Sequence, residues 1–111
     1  METYHLLAEI KGSFKDLNDL KRIESECVNA CRFAGAKVLS VQSHQFEPQG
    51  VTVLVLLAES HMSIHTFPEK GCAAVDIFTC GSHTDPEMGF NYFCDVMNYS
   101  LSCVELCRRM V

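Results

Sequence analysis

No apolar run in this sequence approaches the ~20 residues that a helix needs to cross a bilayer. The N-terminus, Met1-Glu2-Thr3-Tyr4, also lacks the basic region and apolar core of a secretory signal. A cytoplasmic address is therefore the expectation. Basic residues are scarce as well: nine Lys and Arg stand against fourteen Asp and Glu, for a net charge of −5. Without a basic stripe to neutralise phosphates, a nucleic-acid partner is not expected. Seven cysteines occur, but no Cys-x-x-Cys pair, so the spacing of a zinc site or redox dithiol is missing. Most of them read as small, reduced, buried hydrophobes. Repeats, low-complexity segments and linkers are absent too. The 111 residues form one domain, 1–111, long enough to bury a core but not two.

What is present is a clear succession of periodic segments. Residues 3–10 alternate Tyr4, Leu6, Ala8 and Ile10 on one face, a strand signal. Ser13 with Asp16 resembles a capping box. Leu17, Leu20, Ile23, Cys27, Val28 and Cys31 then recur at helical spacing until Gly35. Residues 37–46 read as a strand, followed by a turn at Pro48-Gln49-Gly50. The almost wholly apolar 51–58 predicts a central strand covered on both faces. Two more strands follow at about 61–67 and 72–79, separated by Pro68-Glu69-Lys70-Gly71. Asp85-Pro86 opens a second helix with the stripe Phe90, Phe93, Cys94 and Met97, and a last strand lies near 102–108.

The order β-α-β-β-β-β-α-β predicts an α+β, two-layer sandwich: a mainly antiparallel sheet with two helices on one face. The other face of so apolar a sheet is expected to meet a second subunit, sheet against sheet in a homodimer.

The stretch ESHMSIHTFPEKGCAAVDIFTCG, residues 59–81, carries the chemistry. Strand alternation places His61, Ser63, His65 and Phe67 on one side, with Met62 and Ile64 on the other. The plainer reading is a set of polar side chains that satisfy one another inside a subunit interface. A metal held by His61, His65 and Cys80 is a weaker reading. Strand spacing sets the two histidines about 7 Å apart, and no cluster completes the ligand set. No metal is expected.

This stretch resembles the signature of the prokaryotic S-adenosylmethionine decarboxylases, pyruvoyl-dependent enzymes made as self-cleaving proenzymes. Glu-Ser-His, the spaced His-Thr-aromatic-Pro-Glu and Asp-x-Phe-Thr-Cys-Gly all occur in register. The resemblance is dense over residues 50–86 and looser elsewhere. It implies cleavage between Glu59 and Ser60, giving a chain of residues 1–59 and a chain of residues 60–111 that begins with a pyruvoyl group made from Ser60. His65 would be the base that removes the Ser60 α-proton, a task suited to imidazole. Thr52 stands where the family usually has an oxyanion-binding serine; it keeps the hydroxyl but adds a methyl and a stiffer χ1. Cys80 would reprotonate the substrate Cα after CO₂ leaves a Schiff base, whose electron-sink role pyridoxal phosphate fills elsewhere.

Substrate contacts follow from the same resemblance. Phe46 and Phe67 match aromatic positions that sandwich adenine, Phe67 replacing a more usual tryptophan. Glu69 matches a carboxylate for the ribose hydroxyls, and Met62 an apolar position lining the site. Core packing stands beside these roles for Phe46 and Met62, and a solvated turn charge for Glu69. The function implied is decarboxylation of S-adenosylmethionine to the aminopropyl donor for spermidine. Two alternatives stay open: the same chemistry on arginine or ornithine, and an unprocessed, non-catalytic homologue.

Overall fold

The computed structural model describes residues 1–111. Its strands are β1 (Glu2–Lys11), β2 (Val38–Gln45), β3 (Val51–Leu57), β4 (His61–Phe67), β5 (Cys72–Cys80) and β6 (Ser100–Met110). The helices are α1 (Phe14–Leu17), α2 (Leu20–Phe33) and α3 (Pro86–Met97), and a 3₁₀ turn spans Pro68–Lys70. The six strands form one sheet in the order β2-β3-β4-β5-β1-β6, every pairing antiparallel. The first strand is thus inserted between the fifth and the sixth, and the chain ends meet: the Val111 amide donates to the Met1 carbonyl at 2.9 Å.

The order of elements expected from periodicity is the one observed, with one division added. The first helical run is two helices, broken at Asn18-Asp19. Ser13 caps α1 by accepting from the Asp16 amide, and Asp19 caps α2 by accepting from the Arg22 amide. Between them the Asn18 side-chain oxygen accepts from the Gly50 amide at 2.9 Å and from Gln45 at 3.0 Å. A contact to the β2–β3 turn thus holds Asn18 at the break, and that distant partner is not readable from the local sequence.

Both long helices lie on the same face. Leu6, Ala8 and Ile10 of β1, Val51, Val53, Val55 and Leu57 of β3, Met62 and Ile64 of β4, and Ala73, Val75 and Ile77 of β5 are buried there. They pack against Ile23, Cys27 and Cys31 of α2 and Phe90, Phe93 and Met97 of α3 in one cluster. Each fully buried aliphatic contributes about 1.5–3 kcal/mol by leaving water. The helices cross closely at Gly89, where an added Cβ would stand 2.7 Å from the Ala30 carbonyl oxygen. No helix is long and apolar enough to cross a membrane.

The opposite face is uncovered, and this corrects one expectation. Strand β3 is buried on alternate residues only. Leu54 and Leu56 point away from the helices and are 48% and 53% exposed. Two helices can tile one face of a six-stranded sheet but not both. Leu7 and Phe67 are exposed on the same side, so the open face is substantially apolar.

Candidate active site

All the polar residues singled out on β4 point to this open face, and they fall into three groups along it. The first group sits at one end, where β3 turns into β4. The Leu57 amide donates to the Ser60 carbonyl at 3.0 Å and closes the turn that displays Glu59 and Ser60. Strand β5 runs alongside and ends at Cys80. Its Sγ donates to the Glu59 carbonyl oxygen at 3.1 Å. Gly81 follows with φ +86, which turns the chain away from the sheet. Thr84 ties back this end of β5 by donating to the Cys80 carbonyl at 3.3 Å. A cleft of about 330 Å³ opens there, lined by Lys37, Glu59, Ser60, Cys80, His83 and Thr84 among others. Glu59, Ser60 and Cys80 are thus brought together.

The second group is at the far end of the same strands. Thr52 and His65 are direct cross-strand partners, with Thr52 Oγ1 and His65 Nδ1 at 3.0 Å. Phe67 lies two residues beyond His65 and is 41% exposed. The Lys70 ammonium lies 5.9 Å from the Phe67 ring centroid. Glu69 is exposed in the 3₁₀ turn that follows. Phe46, just past the end of β2, is 47% exposed, with the His44 ring edge-on at 4.6 Å. His65 and Ser60 are five residues apart along an extended chain, roughly 16 Å at about 3.3 Å per residue. Within one copy of the chain, the expected base does not meet the expected cleavage site.

Met62 belongs to neither group. Its side chain is fully buried on the helix face, its sulfur 3.6 Å from Cys31 Sγ. The expectation that it lines the site is corrected: strand alternation sends its side chain into the core.

A third group, which the sequence reading missed in part, occupies the middle of the face. Asp76 of β5 stands across from Ser63, whose hydroxyl donates to Asp76 Oδ1. The other carboxylate oxygen, Oδ2, takes His5 Nε2 at 2.6 Å and His61 Nε2 at 3.0 Å. Partial burial alone works to raise the Asp76 pKa. The hydrogen bonds from Ser63, His5 and His61 outweigh it and hold the carboxyl below its ordinary value. The available signal was a lone acid inside the apolar strand CAAVDIF. His5, near the other end of the chain, had no local signal at all.

Comparison with known proteins bears on the family and the fold. The family model described as S-adenosylmethionine decarboxylase matches residues 4–109. The S-adenosylmethionine decarboxylase proenzyme of Brevibacillus brevis is 52% identical over 94 residues, which cover 84% of this chain and 71% of that protein. The S-adenosylmethionine decarboxylase proenzyme 2 of Halalkalibacterium halodurans is 44% identical over 108 residues, covering 96% of this chain and 85% of that one. The crystal structure of the adenosylmethionine decarboxylase from Aquifex aeolicus VF5 superposes with a TM-score of 0.81 at 30% identity. That superposition covers 96% of this chain and 88% of the other. A match over nearly the whole chain, in sequence and in fold alike, makes this protein a member of the S-adenosylmethionine decarboxylase family.

Proposed function

We propose that this chain decarboxylates S-adenosylmethionine, using a pyruvoyl group that it makes from its own Ser60 by cleavage after Glu59. The observation that carries this reading is the junction of Glu59, Ser60 and Cys80, with the thiol on the carbonyl that cleavage would break. The residues fit the group: Ser60 is half-buried at the mouth of a cleft that has room for a ligand beside it.

The chemistry at this peptide bond uses only the chain and water. The Ser60 hydroxyl adds to the Glu59 carbonyl carbon, the C–N bond breaks, and the Glu59 acyl group becomes an ester on Ser60. A base then takes the Ser60 α-proton, and the Glu59 carboxylate leaves from Cβ, a far better leaving group than hydroxide. Water replaces the nitrogen of the resulting dehydroalanine, releasing ammonia and leaving a keto group at the head of residues 60–111. That keto group would supply the electron sink for the electron pair left on the substrate carbon when its carboxylate departs as CO₂. Cys80 holds a proton at Sγ beside the junction and is the donor for the substrate carbon.

Thr52 and His65 form the base and its hydrogen-bonded partner. Because His65 stands roughly 16 Å from Ser60 along the extended chain, the pair serves the Ser60 of a second copy. Two copies paired through their open faces, antiparallel along β4, would set the Thr52–His65 end of one against the Ser60–Cys80 end of the other. Such a two-fold arrangement is isologous. It would also cover Leu7, Leu54 and Leu56, apolar groups exposed in one copy alone. Phe46, Phe67 and Glu69 share the His65 end, so the adenine and ribose contacts would come from the same partner.

The test combines mass analysis under denaturing conditions with pairs of variants. The purified protein is expected as two fragments, residues 1–59 and 60–111, the second blocked at its N-terminus. Ser60→Ala and His65→Ala are each expected to remain intact. Co-expressed, the His65→Ala chain is expected to be cleaved, because its partner retains His65. Intact wild-type chain after long incubation would overturn the cleavage reading. Normal cleavage of His65→Ala alone would overturn the role of a partner base. Release of CO₂ from arginine or ornithine, but not from S-adenosylmethionine, would overturn the substrate.

A further inference from the structure

The group in the middle of the open face is used by neither half of the proposed active site. Three side chains from three strands converge there: His5 from β1, His61 from β4 and Asp76 from β5. Their ligating atoms all lie within 4.8 Å of one another. The two imidazoles approach along one row of the sheet, in which His61 is the partner of Phe78 and Phe78 the partner of His5. Phe78 packs against both, with ring centroids 5.8 Å from His61 and 5.4 Å from His5. Its ring walls the cluster on one side and limits how far either imidazole can turn.

From this arrangement we infer that His5, His61 and Asp76 form a binding site for a divalent transition-metal ion of the zinc class. Two imidazole nitrogens and one carboxylate oxygen are a donor set for such ions, whereas magnesium and calcium prefer oxygen alone. Metal–ligand bonds of about 2.0–2.2 Å fit between atoms already this close, with small rotations of the rings. The ion binds at the two Nε2 atoms, which leaves Nδ1 of each neutral imidazole to carry the ring hydrogen. Ser63 holds the remaining carboxylate oxygen, the kind of outer contact that orients a metal-ligating acid. In a single copy the side chains of His5 and Asp76 are about one-fifth exposed and that of His61 about one-half, so an ion can enter before two copies pair. Three protein donors leave a coordination position for water. Bound there, the ion would clamp β1, β5 and β4 across the sheet, one residue from Ser60.

The competing account is a polar triad with no ligand, and chosen substitutions separate the two. Gln at position 5 and Asn at position 61 can still donate to Asp76 but are poor zinc ligands. The purified protein is stripped with a chelator, passed over a desalting column, and given Zn²⁺ or Co²⁺ alone. One ion per chain is expected to be retained, with a rise in the thermal midpoint and a cobalt spectrum of nitrogen and oxygen ligation. Ser63→Ala is expected to weaken binding roughly 10–100-fold. His5→Gln and His61→Asn are expected to lose retention while keeping the melting temperature of the metal-free protein. The inference is overturned if the stripped protein retains no ion at several-fold excess, or if both histidine variants retain it undiminished. An intense thiolate-to-cobalt band, which would put the metal on cysteine, overturns it as well.

Discussion

Strand β4 presents two different proteins to its two sides. Toward the helices, Met62, Ile64 and Thr66 are buried, and Met62 and Ile64 join the single core cluster. Away from them, His61, Ser63, His65 and Phe67 stand at least partly exposed beside Thr52 and Asp76. The same seven-residue strand therefore supplies both packing and chemistry, and the pleat alone keeps them apart. Stability is carried by one face, and the proposed function falls to the other. A substitution should disturb whichever face its side chain occupies, with little leakage to the reverse.

The strongest challenge to this division is to spoil the open face without touching a polar residue. Leu54→Glu places a charge on the apolar surface between the two ends of the proposed site. Decarboxylation is expected to fall to background and the protein to run as a monomer on gel filtration, with an unchanged circular dichroism spectrum. An active Leu54→Glu dimer would mean that the open faces do not meet.

A smaller effect is expected from the buried side. Met62→Ala should cost about 2–5 kcal/mol in urea unfolding, because it removes a filled volume beneath α2. Leu56→Ala, half-exposed one ladder position away, is expected to stay within about 0.5 kcal/mol when the chain is monomeric. Equal costs at the two positions would contradict the assignment of stability to the helix face.

The mildest probe is thiol labelling. Burial pushes Cys31 up to about 12 and raises Cys27 well above its ordinary value, with Cys31 and nearby acidic groups adding to the rise at Cys27. Both should stay protonated and unlabelled near about pH 8 in the folded protein. Cys103, exposed on β6 in a single copy, is expected to react within minutes in the monomeric Leu54→Glu variant, as peptide mapping would show. Labelling of Cys27 at the rate of Cys103 would mean that the helix face opens readily.

Much of this division was legible in the order of residues. Alternation along HMSIHTF assigned each side chain of β4 to its face, and the helical stripes of α2 and α3 identified their buried sides. The motif around Glu59-Ser60 and Cys80 pointed to one end of the sheet, where those residues do meet. Other features were not legible, because they depend on contacts between distant segments. The break at Asn18 needs Gly50 and Gln45. Strand β3 looked apolar enough to be covered twice, but composition does not reveal how much sheet two helices can cover. Met62 carried a family role as a site residue, whereas its position in the strand sends the side chain to the core.

By itself, then, the sequence determined the elements, their inward faces and the chemical character of the 59–81 stretch. These are local properties, set by residue spacing against the helical and strand periods. Only the tertiary structure decided which strands are neighbours, and with that which side chains meet. Inserting β1 between β5 and β6 carries His5 to Asp76, 71 positions away. The rise of an extended strand, about 3.3 Å per residue, separates His65 from Ser60 although only four residues intervene. Distance along a chain and distance in space diverge most in a sheet. In this protein they diverge across the residues proposed to carry the chemistry.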